Sequence, residues 1–468
     1  MLGLLAYYFL TGHGVTKARS EVNAGQILNY LPLITEYSGS NPSQGVRQVN
    51  VPYFPDGLLF DETAIFWFGR VTPSENYADV RLGYTQDELF VHVAILDRLL
   101  WYDATAPVES LTAWDSVSLY LNLTGNHGQT PLAQSFRFIG QLSWHESRAD
   151  YQAAYQGDGS GWKRKELPFT TETGLRGSAN DADQDSGWRL TYHIPFTSLG
   201  LSGPPAHLTS WGLAVIVHDR DDSGGSAIPN KLWPENMAGD RPESWGRLVF
   251  GLPALRVSGR SPQGSLTIRQ GLEGAVVPDG EVGGATNCGD GMDKFTEWGE
   301  ANYAGIDRVN VQNQYDVSDS ACFSKYYVTF PLDRLPPGKD ILTARLVIYQ
   351  FGNAGGGEWG EAPGSWIQVF TIGEDWQEAS LTWNNAPLAL ENISRAWVPW
   401  LTEYPGAAGL PREWDVSRAA EWAYNAGKPL RLALYSADSA RHSGKYFWSS
   451  DYSLATSRPA LTVEWADP

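Results

Sequence analysis

Of 468 residues only 2 are cysteine, 3 are methionine and 8 are histidine. Two cysteines without histidines at close spacing cannot build a metal centre. Cys288 and Cys322 flank a polar, Gly-rich segment and are expected to form a disulfide, which would stabilise by roughly 3–4 kcal/mol and place the chain in an oxidising compartment. The other reading is two unpaired thiols. Basic residues are scarce as well: 34 Lys+Arg face 53 Asp+Glu, a net charge of -19. That imbalance argues against nucleic acid and anionic membrane surfaces as partners. Long apolar runs are missing. The opening Met1–Leu10 is too short for a membrane span, carries no basic residue ahead of it, and precedes no small-x-small cleavage site. Catalytic signatures are missing too: no Gly-x-Ser-x-Gly, no His-Glu-x-x-His, no reactive-cysteine context. Paired carboxylates are what glycosidases require, and 53 acids single out no pair. The expectation is a protein that is not an enzyme.

What the chain has instead is aromatic and turn-forming: 20 Trp, 22 Tyr, 49 Gly and 28 Pro. Short strands bounded by turns imply an all-β protein. We expect two antiparallel β-sandwich (jelly-roll-like) domains in tandem, and an acidic, Trp-rich composition that suits an extracellular protein. Residues 1–45 form an apolar, extended tail, read either as the remnant of a signal segment or as an assembly strand. Residues 46–252 form the first sandwich, 253–264 a linker without apolar periodicity, and 265–468 the second sandwich. One helix is expected over 415–426. Asp415 can cap it, Val416, Ala419, Ala420 and Ala423 share a face, and Gly427 can end it.

The most informative stretch is Trp114 to Leu123. Val117, Leu119, Leu121 and Leu123 alternate with Ser116, Ser118, Tyr120 and Asn122, a strand with one buried and one wet face. A preceding strand, Leu89 to Leu96, ends at Asp97. With Asp103, Asp115 and the run Asp219-Arg-Asp-Asp222, Asp97 forms a set of carboxylates at strand ends. Asp97, Asp219 and Asp221 are candidate calcium ligands, since hard cations take several oxygens; solvated turn charges are the other reading. Two acceptor motifs for N-glycans begin at Asn122, on the expected wet face, and at Asn392.

Leu89–Asp97, Trp114–Leu121, Trp188–Phe196, Trp211–Asp219, Trp233-Pro and Trp245–Val249 occur in an order that resembles the family 9 carbohydrate-binding modules. The resemblance implies an antiparallel sandwich that binds sugar without cleaving it. It places Trp114 where the first of two sugar-stacking tryptophans stands, whereas Ala238 or Gly239 occupies the place of the second. Trp101 and Trp233 are the candidate substitutes, and core filling is the competing role for all three.

Lys325–Pro336, Ile341–Tyr349, Trp376–Pro387, Trp414–Ser417 and Arg458–Val463 resemble the DNRLRE domain, related to the disaggregatase repeat and to family 96 carbohydrate-binding modules. Trp383 is expected to anchor a corner, Asn384 to bond turn backbone and Pro387 to end the element. Arg412, Arg418, Arg441, Lys445 and Arg458 either meet an acidic polysaccharide or are ordinary surface charges. The sequence thus suggests a secreted, non-catalytic cell-surface protein that binds or adheres to polysaccharide or another glycan. The alternative is a self-assembling filament or surface-layer subunit, a homo-oligomer joined through residues 1–36.

Overall fold

The computed structural model describes residues 45–103, 105, 108–143, 148–224, 228–284, 291–315, 323–355 and 363–468. The expected tail and its assembly role, and Cys288 and Cys322, lie outside them. The described chain is built of β-strands in three sheets, with one α-helix.

In the first sandwich an antiparallel five-stranded sheet runs Ala64–Thr72, Glu75–Tyr84, Glu88–Leu96, Gly187–Pro195, Thr170–Arg176. Val91, Val93, Ile95, Leu190 and Ile194 pack with Val117, Leu119 and Leu121 of the strand Ser116–Asn122, within one buried cluster. The strand Ser116–Asn122 alternates as expected, but its second face is not wet. Tyr120 is buried with Met237 and Trp245, which close over that face from a distant segment. Asn122 is consequently 2% exposed, and its side-chain nitrogen donates to Gly125 O at 2.7 Å. Asn392 is buried too, so neither glycan-acceptor amide is offered to solvent.

The second sandwich sets the strands Gly264–Arg269, Ala460–Ala466, Asp340–Asn353, Lys445–Trp448 and Arg308–Val311, with Leu410–Asp415 on the flank, against a second layer. That layer runs Asp279–Gly283, Ser324–Phe330, Leu430–Ser436, Ser365–Ile372, Ala389–Val398. The helix spans Ser417–Asn425 and buries Ala419, Ala420 and Ala423 in this core together with Val416. Asp415 Oδ1 accepts the Ser417 N–H at 2.9 Å, and Gly427 at φ +62° receives the chain as it leaves the helix.

The inner layers of both sandwiches belong to one 13-stranded sheet. Gln48–Val51 splices them: it pairs in parallel with Gly246–Phe250 along its whole length, and through Gln48 with Glu391 of the second module. Beyond that single position, side chains continue the ladder. Asn392 Oδ1 accepts the Asn50 N–H at 2.7 Å, while its nitrogen donates to Asn50 O at 2.9 Å. Asn384 repeats the device on Val71, accepting its N–H at 2.8 Å and donating to its carbonyl at 3.0 Å. Asn384 therefore clamps the first module, and Asn385 is the residue that bonds the turn, at Thr382 N and Ser380 O.

A shared core explains the unbroken apolar run Ala-Ile-Phe-Trp-Phe at 64–68. Phe66 and Phe68 enter the first module's core, whereas Ile65 and Trp67 face the other way, onto Phe370, Trp383 and Tyr435. A strand buried on both faces needs apolar residues at every position. In this shared core lies Lys325. Its Nζ sits 3.6 Å from the Trp383 ring centroid and 4.5 Å from that of Trp67, and donates to Tyr77 Oη at 2.9 Å. Tyr77 in turn donates to buried Asp79 at 2.5 Å, which also accepts from Tyr435 Oη and Asn313 Nδ2. Burial pulls the lysine well below its ordinary value, and the Asp79 charge pulls it back.

Because these groups come from both modules, the two should unfold as one. Calorimetry is expected to give a single endotherm. Lys325→Ala, which strands Asp79 and opens a cavity, should lower its stability by about 3–5 kcal/mol. Two endotherms, of which Lys325→Ala moves one, would show the modules to be independent.

Candidate functional site

One end of the first sandwich gathers the carboxylates. Asp97 follows Glu88–Leu96, Asp115 precedes Ser116–Asn122, and Asp219 ends Ser210–Asp219. Ser116–Asn122 and Ser210–Asp219 pair in antiparallel register from Ser116↔His218 onward, which brings Asp115 and Asp219 to the same rim. Asp97, Asp219 and Asp221 each offer an oxygen within 4.8 Å of the others.

The four acids differ in what holds them. Both oxygens of Asp115 are engaged, accepting the backbone N–H of Trp101 at 2.7 Å and of Arg220 at 2.8 Å. It is a strut that ties the 98–103 loop to the 219–222 turn. Asp97 accepts the Trp188 indole N–H at 3.2 Å and the Leu99 N–H at 3.3 Å. Asp219 is only 4% exposed, and its Oδ1 is buried without a hydrogen-bond partner. Burial, then the charge of Asp221, pushes it up to about 7. Asp97 and Asp115 stand well above the usual carboxylate range through burial and then the charge of Asp219. A cluster of this kind, with three carboxylates in mutual reach and an orphaned buried oxygen, could hold a divalent cation through Asp97, Asp219 and Asp221. Asp103 lies nearby in sequence but spends its carboxylate on Thr105.

The candidate tryptophans separate. Trp101 and Trp114 are half-buried on either side of the Asp115 strut, where Asp115 N donates to Trp101 O at 3.1 Å. The Arg220 guanidinium lies 5.0 Å over the Trp114 ring and covers one face of it. Trp233 is 1% exposed and stacks on Phe66 at 4.0 Å. It is a core residue with no face for a sugar, because Ile228–Trp233 pairs on Ser210–Asp219 and turns its last ring inward. At the position of the missing second tryptophan, the half-buried Trp162 donates its indole N–H to Gly239 O at 3.2 Å. Sequence spacing could not reveal Trp162, since it arrives from a strand at the far edge of the sheet.

Four of the candidate basic residues of the second module are engaged by other groups of the protein. Lys445 is buried and donates to Ser365 Oγ at 3.0 Å, beside Asp438. Arg412 bonds Gln350, Arg418 pairs with Glu391, and Arg458 donates to Tyr452 O and Gln270 O.

Comparison with known families finds a match for one part of the chain. Residues 295–464 match the model of carbohydrate-binding module family 96. The match takes in the Trp383–Asn384 clamp, the helix and Lys325. Similar solved structures include a carbohydrate-binding module of family 9 from Caldicellulosiruptor kristjanssonii in complex with cellotriose. It is 17% identical, with a TM-score of 0.32, over 46% of this chain and 100% of that one. The same module in complex with glucose is 16% identical, with a TM-score of 0.31, over 46% of this chain and 97% of that one. A protein from Bacteroides uniformis is 11% identical, with a TM-score of 0.33, over 44% of this chain and 100% of that one. Among curated proteins none matches.

The region that matches family 96 borders one further buried acid that the sequence did not single out. Asp279 accepts from Tyr326 Oη at 2.6 Å and from Ser450 N and Oγ at 2.8 and 2.7 Å. Burial nevertheless pushes it up to about 7. The folded state therefore holds a proton that the unfolded chain, near pKa 3.9, gives up, and stability declines as pH rises through this window. Asp279→Asn can keep its bonds to Tyr326 and Ser450 without the charge. Its stability relative to the parent is expected to grow by up to roughly 4 kcal/mol between pH 4 and pH 8. Denaturation curves at both pH values check this; a pH-independent difference would contradict it.

Proposed function

We propose that the protein binds polysaccharide without cleaving it and works outside the cell. The observation that carries this is the family-96 match over residues 295–464, a carbohydrate-binding family. The acidic, Trp-rich composition supports an extracellular setting, and a net charge of -19 disfavours polyanions as general partners. Binding is tested by co-sedimentation with insoluble polysaccharides, with a reducing-sugar assay on the supernatant. Depletion of the protein with no release of reducing ends is the expected result. Release of sugar would replace binding by catalysis, and no depletion on any matrix would remove the reading.

We also propose that Asp97, Asp219 and Asp221 hold calcium as a structural ion. The support is the orphaned, buried Asp219 Oδ1 within a cluster whose three carboxylates each offer an oxygen within 4.8 Å of the others. The ion would lock the 98–103 loop against the 219–222 turn and so fix Trp101 and Trp114. For a site of roughly 10⁻⁴ M affinity, about 10 mM calcium stabilises the fold by about 2.7 kcal/mol. The melting temperature should rise with calcium and fall back with EDTA, and Asp219→Asn should abolish the response. An unchanged response in Asp219→Asn would rule the site out.

A further inference from the structure

Among the described residues the most exposed tryptophan lies in the second module, away from Trp101 and Trp114. Trp397 is 50% exposed. It sits on Ala389–Val398 directly opposite Trp366 of Ser365–Ile372, two cross-strand pairs beyond Gln368↔Arg395 and so on the same face. The next inward residues, Ile367 and Val369, fill the module's own core, so Trp366 and Trp397 stand on the sheet's other face. Farther along that face the first module covers the sheet: Phe370 enters the shared core, and Gln368 Nε2 donates to Thr63 O at 2.8 Å. The cover ends at Glu62, which Arg395 grips through its carbonyl at 2.7 Å and its carboxylate at 3.1 Å. Trp397 lies just past that edge.

Three features make it a platform and not a stray apolar residue. A Cβ on Gly364 would fall 2.2 Å from Trp397 Cζ2, so the indole lies across a glycine while half of its surface stays exposed. Trp366 stands beside it, centroids 5.6 Å apart and planes inclined at 58°, as a wall. The Arg395 guanidinium, 4.5 Å over the Trp366 ring, fixes that wall in place. Neither indole N–H donates to a protein acceptor among the described residues, which leaves both to hydroxyl groups of a ligand.

We propose that Trp397, with Trp366 as its side wall, is a stacking site for a pyranose ring of a neutral polysaccharide. The inference rests on the polysaccharide-binding reading and adds the site to it. A single indole face with donors at its edge matches the C–H face and hydroxyls of one sugar ring. The Arg395–Glu62 pair neutralises the rim, and the charge of the chain opposes an acidic sugar.

The test is affinity electrophoresis of the full chain in native gels cast with xyloglucan, arabinoxylan, hydroxyethylcellulose, galactomannan or polygalacturonate. Trp397→Ala should weaken retardation in a neutral gel roughly tenfold or more, Trp397→Phe less, and Trp114→Ala little. Gly364→Ala, which tilts the ring but keeps it, should weaken binding too. Melting temperatures equal to the parent's show that the variants fold. Retardation unchanged in Trp397→Ala overturns the site while leaving the polysaccharide reading intact. A parent that no gel retards removes both. Retardation only by polygalacturonate overturns the neutral assignment. If Trp397→Ala instead changes the elution of the protein in size-exclusion chromatography, the patch belongs to a second copy and the sugar site falls.

Discussion

A lysine side chain buried away from solvent is the constraint on which the rest of this protein turns. Lys325 is 1% exposed, and its cage is assembled from both modules: Trp67 and Tyr77 from one, Trp383 and Tyr435 from the other. Aromatic faces supply part of the lost hydration, and the relay through Tyr77 to Asp79 supplies the countercharge. None of this works if the modules part. A separated second module would expose Phe370, Trp383 and a strip of unpaired strand, and a separated first module would expose Ile65 and Trp67. The buried polar relay thus fixes orientation, while the surrounding apolar area supplies the driving force.

Much of this was legible in the sequence, and the limit of legibility is a physical one. Period-two alternation located Ser116–Asn122, and capping and small-residue spacing located the helix, because both signals are local. The second layer over Ser116–Asn122 was invisible because Met237 and Trp245 come from far along the chain. For the same reason Asn122 was placed in water. The two clamps are an extreme case: Asn384 and Asn392 bond residues 313 and 342 positions away. Asparagine beside Trp383 reads as turn chemistry, and its neighbour Asn385 does perform it.

The candidate site divides along the same line. Strand ends and their carboxylates converge because register dictates it, so Asp97, Asp219 and Asp221 could be named together in advance. Tryptophans cannot be sorted that way, since an indole is equally suited to a core and to a platform. Trp233 lies in the core, Trp114 carries an arginine on one face, and Trp397 rests on a glycine. The deciding partners, Phe66, Arg220 and Gly364, lie 33 to 167 positions away from their tryptophans. What distinguishes a sugar platform is the ring's neighbour, which only the fold supplies.

The strand Gln48–Val51 occupies the middle of the sheet, yet the chain reaches its partners only at Gly246–Phe250 and Ala389–Val398. On a ribosome it would wait for some two hundred residues to meet the first partner and for well over three hundred to meet the second. Contacts that distant are slow to close, and until they do, the apolar flanks of both modules face solvent. The architecture that makes the finished molecule a single unit therefore also makes it a late folder. Its nascent form presents open strand edges, the surfaces that holding chaperones bind and that neighbouring copies of an incomplete chain would otherwise pair.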